Sequence, residues 1–223
     1  MHLPALNIPN LLLSLWRGTL ECDHSDSRST WTWAALRDVV IWKHHDFLVG
    51  VARLYLPGSF DRPPHDPAEK LNSGYKAWEF LNYIYGYAPA LLFGILPFQY
   101  WRSFCKLVLG IRILHQHSIK AIELRTAHCV LIEFSIEFER LYYQRKPSRI
   151  HFVRPSIHQL THCAPETEHV GPLGLSTQWP IKRTIGDPGK EIRQPSNPFQ
   201  NLARRGIQRA CITGLFRPVF ILE

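Results

Sequence analysis

His158 and His162 stand four residues apart, the spacing that brings two imidazoles to one helix face and that a metal pair requires. Cys163 and His169 would be the further ligands of a zinc site there. The competing use of the pair is hydrogen bonding to the polypeptide or to a nucleic-acid backbone. His115 and His117 cannot share a helix face and read as turn residues, and Cys22-Asp23-His24 has no second ligand pair in register and reads as loop. The larger chemical feature is basic. Arg149, Arg154, Lys182, Arg183, Lys190, Arg193, Arg204, Arg205 and Arg209 form a set suited to following phosphates without reading bases. Phe152, Trp179 and Phe199 lie among them, either to stack on bases or to fill core.

The elements that must carry these residues read as helices. Leu124, Ala127, Leu131, Phe134, Phe138 and Leu141 recur at alternating spacings of three and four, which predicts a helix from an N-cap at Ser118 to about Tyr143. Glu123, Arg125, Glu133, Glu137 and Arg140 fall off that stripe, as a solvated face should. Phe98, Trp101, Cys105, Val108 and Ile111 define a matching face over 97–114, so the two helices are expected to pack as an antiparallel hairpin across His115–His117. Earlier in the chain, a short apolar helix is expected over 9–16, ended by Gly18, and another over 30–43. The prolines and glycine of 55–72 predict an extended, turn-rich connection.

Beyond Arg145 one short extended piece is expected within 148–155, then a helix over 157–163. Asn197-Pro198 has the order of a helix start, and the final helix is expected to reach about Phe216. On a wheel, Arg204, Arg205 and Arg209 fall within a sector of about 140°, and Ala203, Gly206, Ile207, Ala210 and Gly214 fall opposite. No run of period two and no Asn-Gly hairpin turn occurs over the central helices, so the fold class is mainly α.

At 223 residues and 45% hydrophobic composition, the chain is long enough to bury one core and too apolar for wholesale disorder. Its charge is uneven. Residues 1–139 hold thirteen Lys/Arg and thirteen Asp/Glu, whereas 140–223 hold thirteen and five, so the C-terminal part supplies the whole net +8. Such a part suits a polyanion such as DNA, although a basic face is also what a solvated surface carries. Five cysteines without a Cys-x-x-Cys pair fit reduced thiols in an intracellular protein. Pro4 and Pro9 interrupt the apolar start, so no secretory leader is expected. Residues 80–101 are uncharged and long enough to span a bilayer, but Gly86, Pro89, Gly94 and Pro97 favour two short buried helices.

The segment Trp179-Pro-Ile-Lys-Arg-Thr-Ile-Gly186, with its flanks 176–199, resembles the end of the catalytic region of fungal Plavaka-type transposases, relatives of the CACTA group. Similar words occur at 12–26, at Tyr-Leu-Pro-Gly-Ser-Phe-Asp-Arg-Pro-Pro (55–64), at Asn-Ser-Gly-Tyr-Lys-Ala-Trp-Glu-Phe (72–80), and at 112–118, 142–145 and 149–158. The resemblance implies a ribonuclease H-like core with a helical insertion. In that core two aspartates and one glutamate hold two Mg²⁺ ions, one activating the attacking oxygen and one stabilising the leaving oxygen. It places 1–146 as insertion-like and 147–223 as the basic, glutamate-bearing end, the two forming one continuous domain without the core sheet. The aspartate-bearing strands would precede residue 1.

Lys182 occupies the family's glutamate position. An ammonium has no lone pair for a metal, so no catalytic residue is intact and no cofactor is expected. Glu191 lies nine residues further on, roughly 13 Å along a helix, too far to substitute. Pro188 is a second departure, being costly inside a helix, though Asp187-Pro188 could open a new one. The expectation is a truncated, inactive transposase-like remnant, nuclear, with non-specific DNA binding and without membrane contact. The alternative is a helical interaction module that docks on a full-length transposase or another protein.

Overall fold

The structure is a computed structural model that describes residues 3–55, 64–65, 67, 74–176 and 196–216. It is mainly helical, and no strand occurs among the described residues. The chain divides into two compact units, 1–176 and 177–223.

The first unit holds α1 (Ile8–Trp16), α2 (Val39–Ala52), α3 (Ala77–Phe80), α4 (Ala88–Leu91), α5 (Phe98–Leu114), α6 (Ala121–Phe138), α7 (Pro155–Gln159), α8 (Cys163–Val170) and α9 (Leu173–Ser176). A π-helical stretch, Leu81–Tyr87, joins α3 to α4, another, Glu139–Tyr143, extends α6, and a 3₁₀ segment, Pro147–Phe152, leads to α7. Segment 147–176, which the sequence groups with the basic end, thus lies within the first unit.

The expected hairpin of α5 and α6 is the spine. Ala127, Leu131, Phe134 and Phe138 of α6 are buried against Phe104, Leu107, Val108 and Ile111 of α5. At Gly110 the Leu131 side chain packs directly on the α5 backbone: a Cβ there would stand 2.6 Å from Leu131 Cγ. Lys106 clamps the edge of the hairpin, donating to Glu133 at 2.7 Å and Glu137 at 2.8 Å. The α6 helix begins three residues after the expected cap. The Lys120 backbone N–H donates to Glu123 Oε2 at 2.8 Å, so the first turn is closed by a carboxylate inside it.

Against this spine packs an aromatic cluster. Trp33 lies 5.5 Å from both Trp31 and Tyr142 and 6.0 Å from Tyr100, and Trp16 donates its indole N–H to the Tyr142 hydroxyl at 3.0 Å. This cluster overturns the expected helix over 30–43. Trp31, Trp33 and Leu36 are all buried, and short 3₁₀ turns at Arg28–Thr30 and Ala35–Arg37 let them reach the core. A continuous helix would turn Trp31 and Trp33 about 200° apart. The helix starts instead at Val39, where the Asp38 carboxylate accepts from Val40 N at 2.7 Å.

Within 80–101 the chain is helical as far as Leu91, turns, and enters the 17-residue α5 at Phe98, so the second of the two short helices expected there is the start of a long one. No helix among the described residues is long and apolar enough to cross a membrane. The expected extended piece in 148–155 is instead largely 3₁₀, because the backbone there turns to bury Arg149 and Phe152. Most of 55–72 lies outside the described residues.

The close approach at Gly110 generates a prediction. Gly110→Ala should cost about 1–3 kcal/mol through overpacking. Because the clash is with Leu131, the losses of Gly110→Ala and Leu131→Ala should not add in the double variant. Denaturant titrations of the three variants measure this, and strictly additive losses would refute the close contact.

Candidate nucleic-acid interface

The basic residues separate into two groups with different physical roles. Arg149 belongs to the interior. It is 1% exposed, and its Nε and one terminal nitrogen donate to the two oxygens of Asp26 at 2.6 and 2.7 Å. Its other terminal nitrogen donates to Gln144 Oε1 at 2.6 Å, and the guanidinium carbon lies 5.0 Å from the Trp33 ring centroid. Trp31 Nε1–H adds a bond to Asp26 Oδ2 at 2.9 Å. The Arg149 guanidinium beside Asp26 holds that carboxyl well below the usual carboxylate range, against the opposing effect of burial. The expectation that Arg149 meets DNA phosphate is therefore corrected. Its donors are spent on a carboxylate 123 positions away.

Arg154 is exposed just before α7. The second unit presents Arg204, Arg205 and Arg209 on a 19-residue helix, α10 (Pro198–Phe216), where every described side chain from 202 to 212 is exposed. Lys182, Arg183, Lys190 and Arg193 lie outside the described residues, as does Trp179, and Phe152 fills core whereas Phe199 is exposed. Arg154 belongs to the first unit, and Arg204, Arg205 and Arg209 belong to the second.

The sequence reading left out Arg140 and Arg145. With Ile136, Glu139 and Gln144 they line a recess of about 370 Å³. Gln144 and Arg145 both take left-handed backbone angles, φ 55° and 52°, which costs a non-glycine residue about 1–2 kcal/mol each. Three bonds hold Gln144 there: its N–H donates to Glu139 O at 2.7 Å, its amide nitrogen donates to Leu141 O, and its amide oxygen accepts from Arg149. The run of cations between 140 and 154 was the available sequence signal. Nothing local separated the buried member from the exposed ones.

The histidine pair is real in geometry. His158 and His162 bring their Nε2 atoms within 3.1 Å, across a change from α7 to a 3₁₀ turn. At that separation one ring donates to the other. No group of three or more His, Cys, Asp or Glu positioned to hold a metal occurs among the described residues. Cys163 is buried, directs its thiol at Gln159 O, and has its pKa pushed up to about 11 by burial, which disfavours the thiolate a zinc ion needs. His169 is exposed on α8. His115 caps the end of α5, in keeping with a turn role.

Two predictions follow from the titratable groups. Asp26→Asn leaves the Arg149 charge buried without its counterion and should cost about 3–5 kcal/mol, while Asp26→Asn combined with Arg149→Met should recover part of that loss. Chemical denaturation checks both, and equal stability of the single and double variants would refute the pairing. The second concerns His45, which is fully buried beside the Tyr83 hydroxyl at 2.6 Å and which burial pushes down to about 4. The unfolded chain takes up this proton near pH 6.5 and the folded chain does not, so stability is complete above about pH 6.5 and falls as pH drops toward 4. The loss attributable to this group is on the order of 3 kcal/mol. Melts from pH 7 to pH 4.5 should show it in the parent and lose most of it in His45→Gln.

Set against family models, curated proteins and solved structures, the chain has no match, so the chemistry of these surfaces rests on their own geometry.

Proposed function

We propose that this chain is a non-catalytic, transposase-related protein that binds the DNA backbone without sequence preference, acting in the nucleus. The observation that carries the DNA contact is α10. It is a 19-residue helix without a single acidic residue, exposed at every described side chain from 202 to 212, with Arg204, Arg205 and Arg209 in one sector. Phosphate contacts on its arginine sector would release counterions, which favours binding. Arg154, and Arg140 with Arg145 at their recess, supply further exposed cations on the first unit.

The transposase relation rests on the shared words of the sequence, which include the Trp179 to Gly186 segment. Lys182 at the glutamate position supports the non-catalytic reading, because an ammonium repels the divalent metals that the family's carboxylates hold. The helical first unit corresponds, on this reading, to the family's insertion, and its continuous core supports a unit able to fold without a sheet.

A second reading has its own observation. Phe199 is 86% exposed and Ile207 is 66% exposed on α10, an apolar surface that a helix groove on a transposase or another protein would cover. Recovery of a stoichiometric protein partner free of nucleic acid would favour it.

Fluorescence anisotropy with duplex DNA between 50 and about 200 mM salt tests the main reading. Affinity should fall steeply with salt. Arg204→Ala, Arg205→Ala and Arg209→Ala together should reduce the slope of log affinity against log salt by about 0.9 for each phosphate contact removed. Binding indifferent to salt, or a triple variant with an unchanged slope, would refute it.

A further inference from the structure

The first unit contains a cavity of about 390 Å³ between the π-helical stretch Leu81–Tyr87 and the C-terminal end of α5. Its volume lies within the roughly 300–1,000 Å³ typical of small-molecule pockets. The walls are apolar, formed by Leu81, Tyr85 and Ile111, and the polar residues at its edge are Asn82, Arg112 and His115. Gly86 forms part of the rim, and a Cβ placed on it would meet nothing within 4 Å.

Three observations distinguish this cavity from a packing defect. First, its polar groups are uncommitted. Among the described residues neither the Asn82 amide nor the Arg112 guanidinium has a hydrogen-bond or ion-pair partner. His115 Nε2 has no partner either, but it is closed to solvent, so the ring backs the wall and offers no contact to a molecule in the open space. Second, the state of that imidazole is defined. Its Nδ1 lies 2.8 Å from Ile111 O and burial lowers its pKa, so a neutral ring donates from Nδ1 and leaves Nε2 as a bare acceptor. Third, the wall is a seven-residue π-helical stretch, the longest of the three among the described residues, in a conformation rare in proteins and frequent at functional sites.

We propose that this cavity binds a small amphipathic monocarboxylate, its carboxylate on Arg112 and its hydrocarbon body against Leu81, Tyr85 and Ile111. The charge pattern selects this chemistry. Among the described residues Arg112 is the one cation on the cavity wall and no acidic residue lines it, so an anion is favoured and an amine is not. A planar guanidinium matches a carboxylate through two parallel bonds, whereas a phosphate dianion would call for more positive charge than the wall supplies. Asn82 can donate to the same carboxylate or accept from a ligand hydroxyl, whereas His115, with Nδ1 on Ile111 O and Nε2 closed to solvent, offers the ligand no bond. The site is independent of the DNA-binding reading, since it uses none of the residues placed there.

Isothermal titration with octanoate, octanol and octylammonium tests the assignment on the full chain. Octanoate should bind with one-to-one stoichiometry and at least about tenfold more tightly than octanol, the size of effect a charge-assisted bond confers. Octylammonium should not bind. Arg112→Gln should reduce octanoate to the level of octanol. Gly86→Leu places a side chain into the open rim and should abolish octanoate binding without lowering the melting temperature, so that loss of binding is separated from loss of fold. Equal binding of the acid and the amine, absence of octanoate binding, or octanoate binding unaffected by both substitutions would overturn the proposal.

Discussion

The ion pair between Arg149 and Asp26 is the constraint on which the first unit depends. It joins the loop after α1 to the segment after α6, and both charges sit in the interior. Two buried charges are tolerated only when nearly every donor and acceptor is engaged. Here Asp26 takes two bonds from the guanidinium and one from the Trp31 indole, while Gln144 takes another of the guanidinium donors. The Trp33 face lies 5.0 Å from the guanidinium carbon, a further favourable contact for a cation removed from water.

Several local features that look unrelated are consequences of that pair. Trp31 must turn its N–H toward Asp26 while Trp33 stacks beside it, which no α-helix through both can achieve, so 28–37 folds as short 3₁₀ turns. Gln144 is held in a left-handed conformation because its amide oxygen completes the arginine's coordination. The 3₁₀ segment Pro147–Phe152 brings Arg149 and Phe152 inward together, and His151 bonds Glu21 O at 2.8 Å on the same loop. The tryptophan-rich N-terminal part and the end of α6 thereby become one body with the α5–α6 hairpin.

Function divides along the same line. Cations that the fold uses internally are unavailable to a polyanion, and only those left on the surface could meet one. The α10 helix contains no acidic residue of its own and its arginines are exposed, which is why the proposed DNA contact rests mainly there. The histidine pair at 158 and 162 has ligand spacing without a third ligand among the described residues, and burial raises the thiol pKa of the nearest cysteine. Proximity in sequence suggested a metal site; the direction and burial of the Cys163 side chain argue against its joining one.

The sequence by itself determined what depends on neighbours three and four residues apart. The stripe of α6, its hairpin with α5 and the helix that begins at Pro198 were legible, because a helix repeats its face at that spacing. The face expected of α5 was right only at Val108 and Ile111, since Phe98 is exposed and Tyr100, Phe104 and Leu107 fill the core instead. The uneven charge and the absence of acids in 198–216 were likewise visible in composition alone. Tertiary structure decided the rest. Whether Arg149 faces solvent or the core, where α2 starts, and which unpaired side chains surround the cavity beside Leu81–Tyr87 depend on partners up to 123 positions away. Local spacing carries no information about such partners. An arginine that meets phosphate and an arginine that meets a buried aspartate are the same letter, and only packing tells them apart.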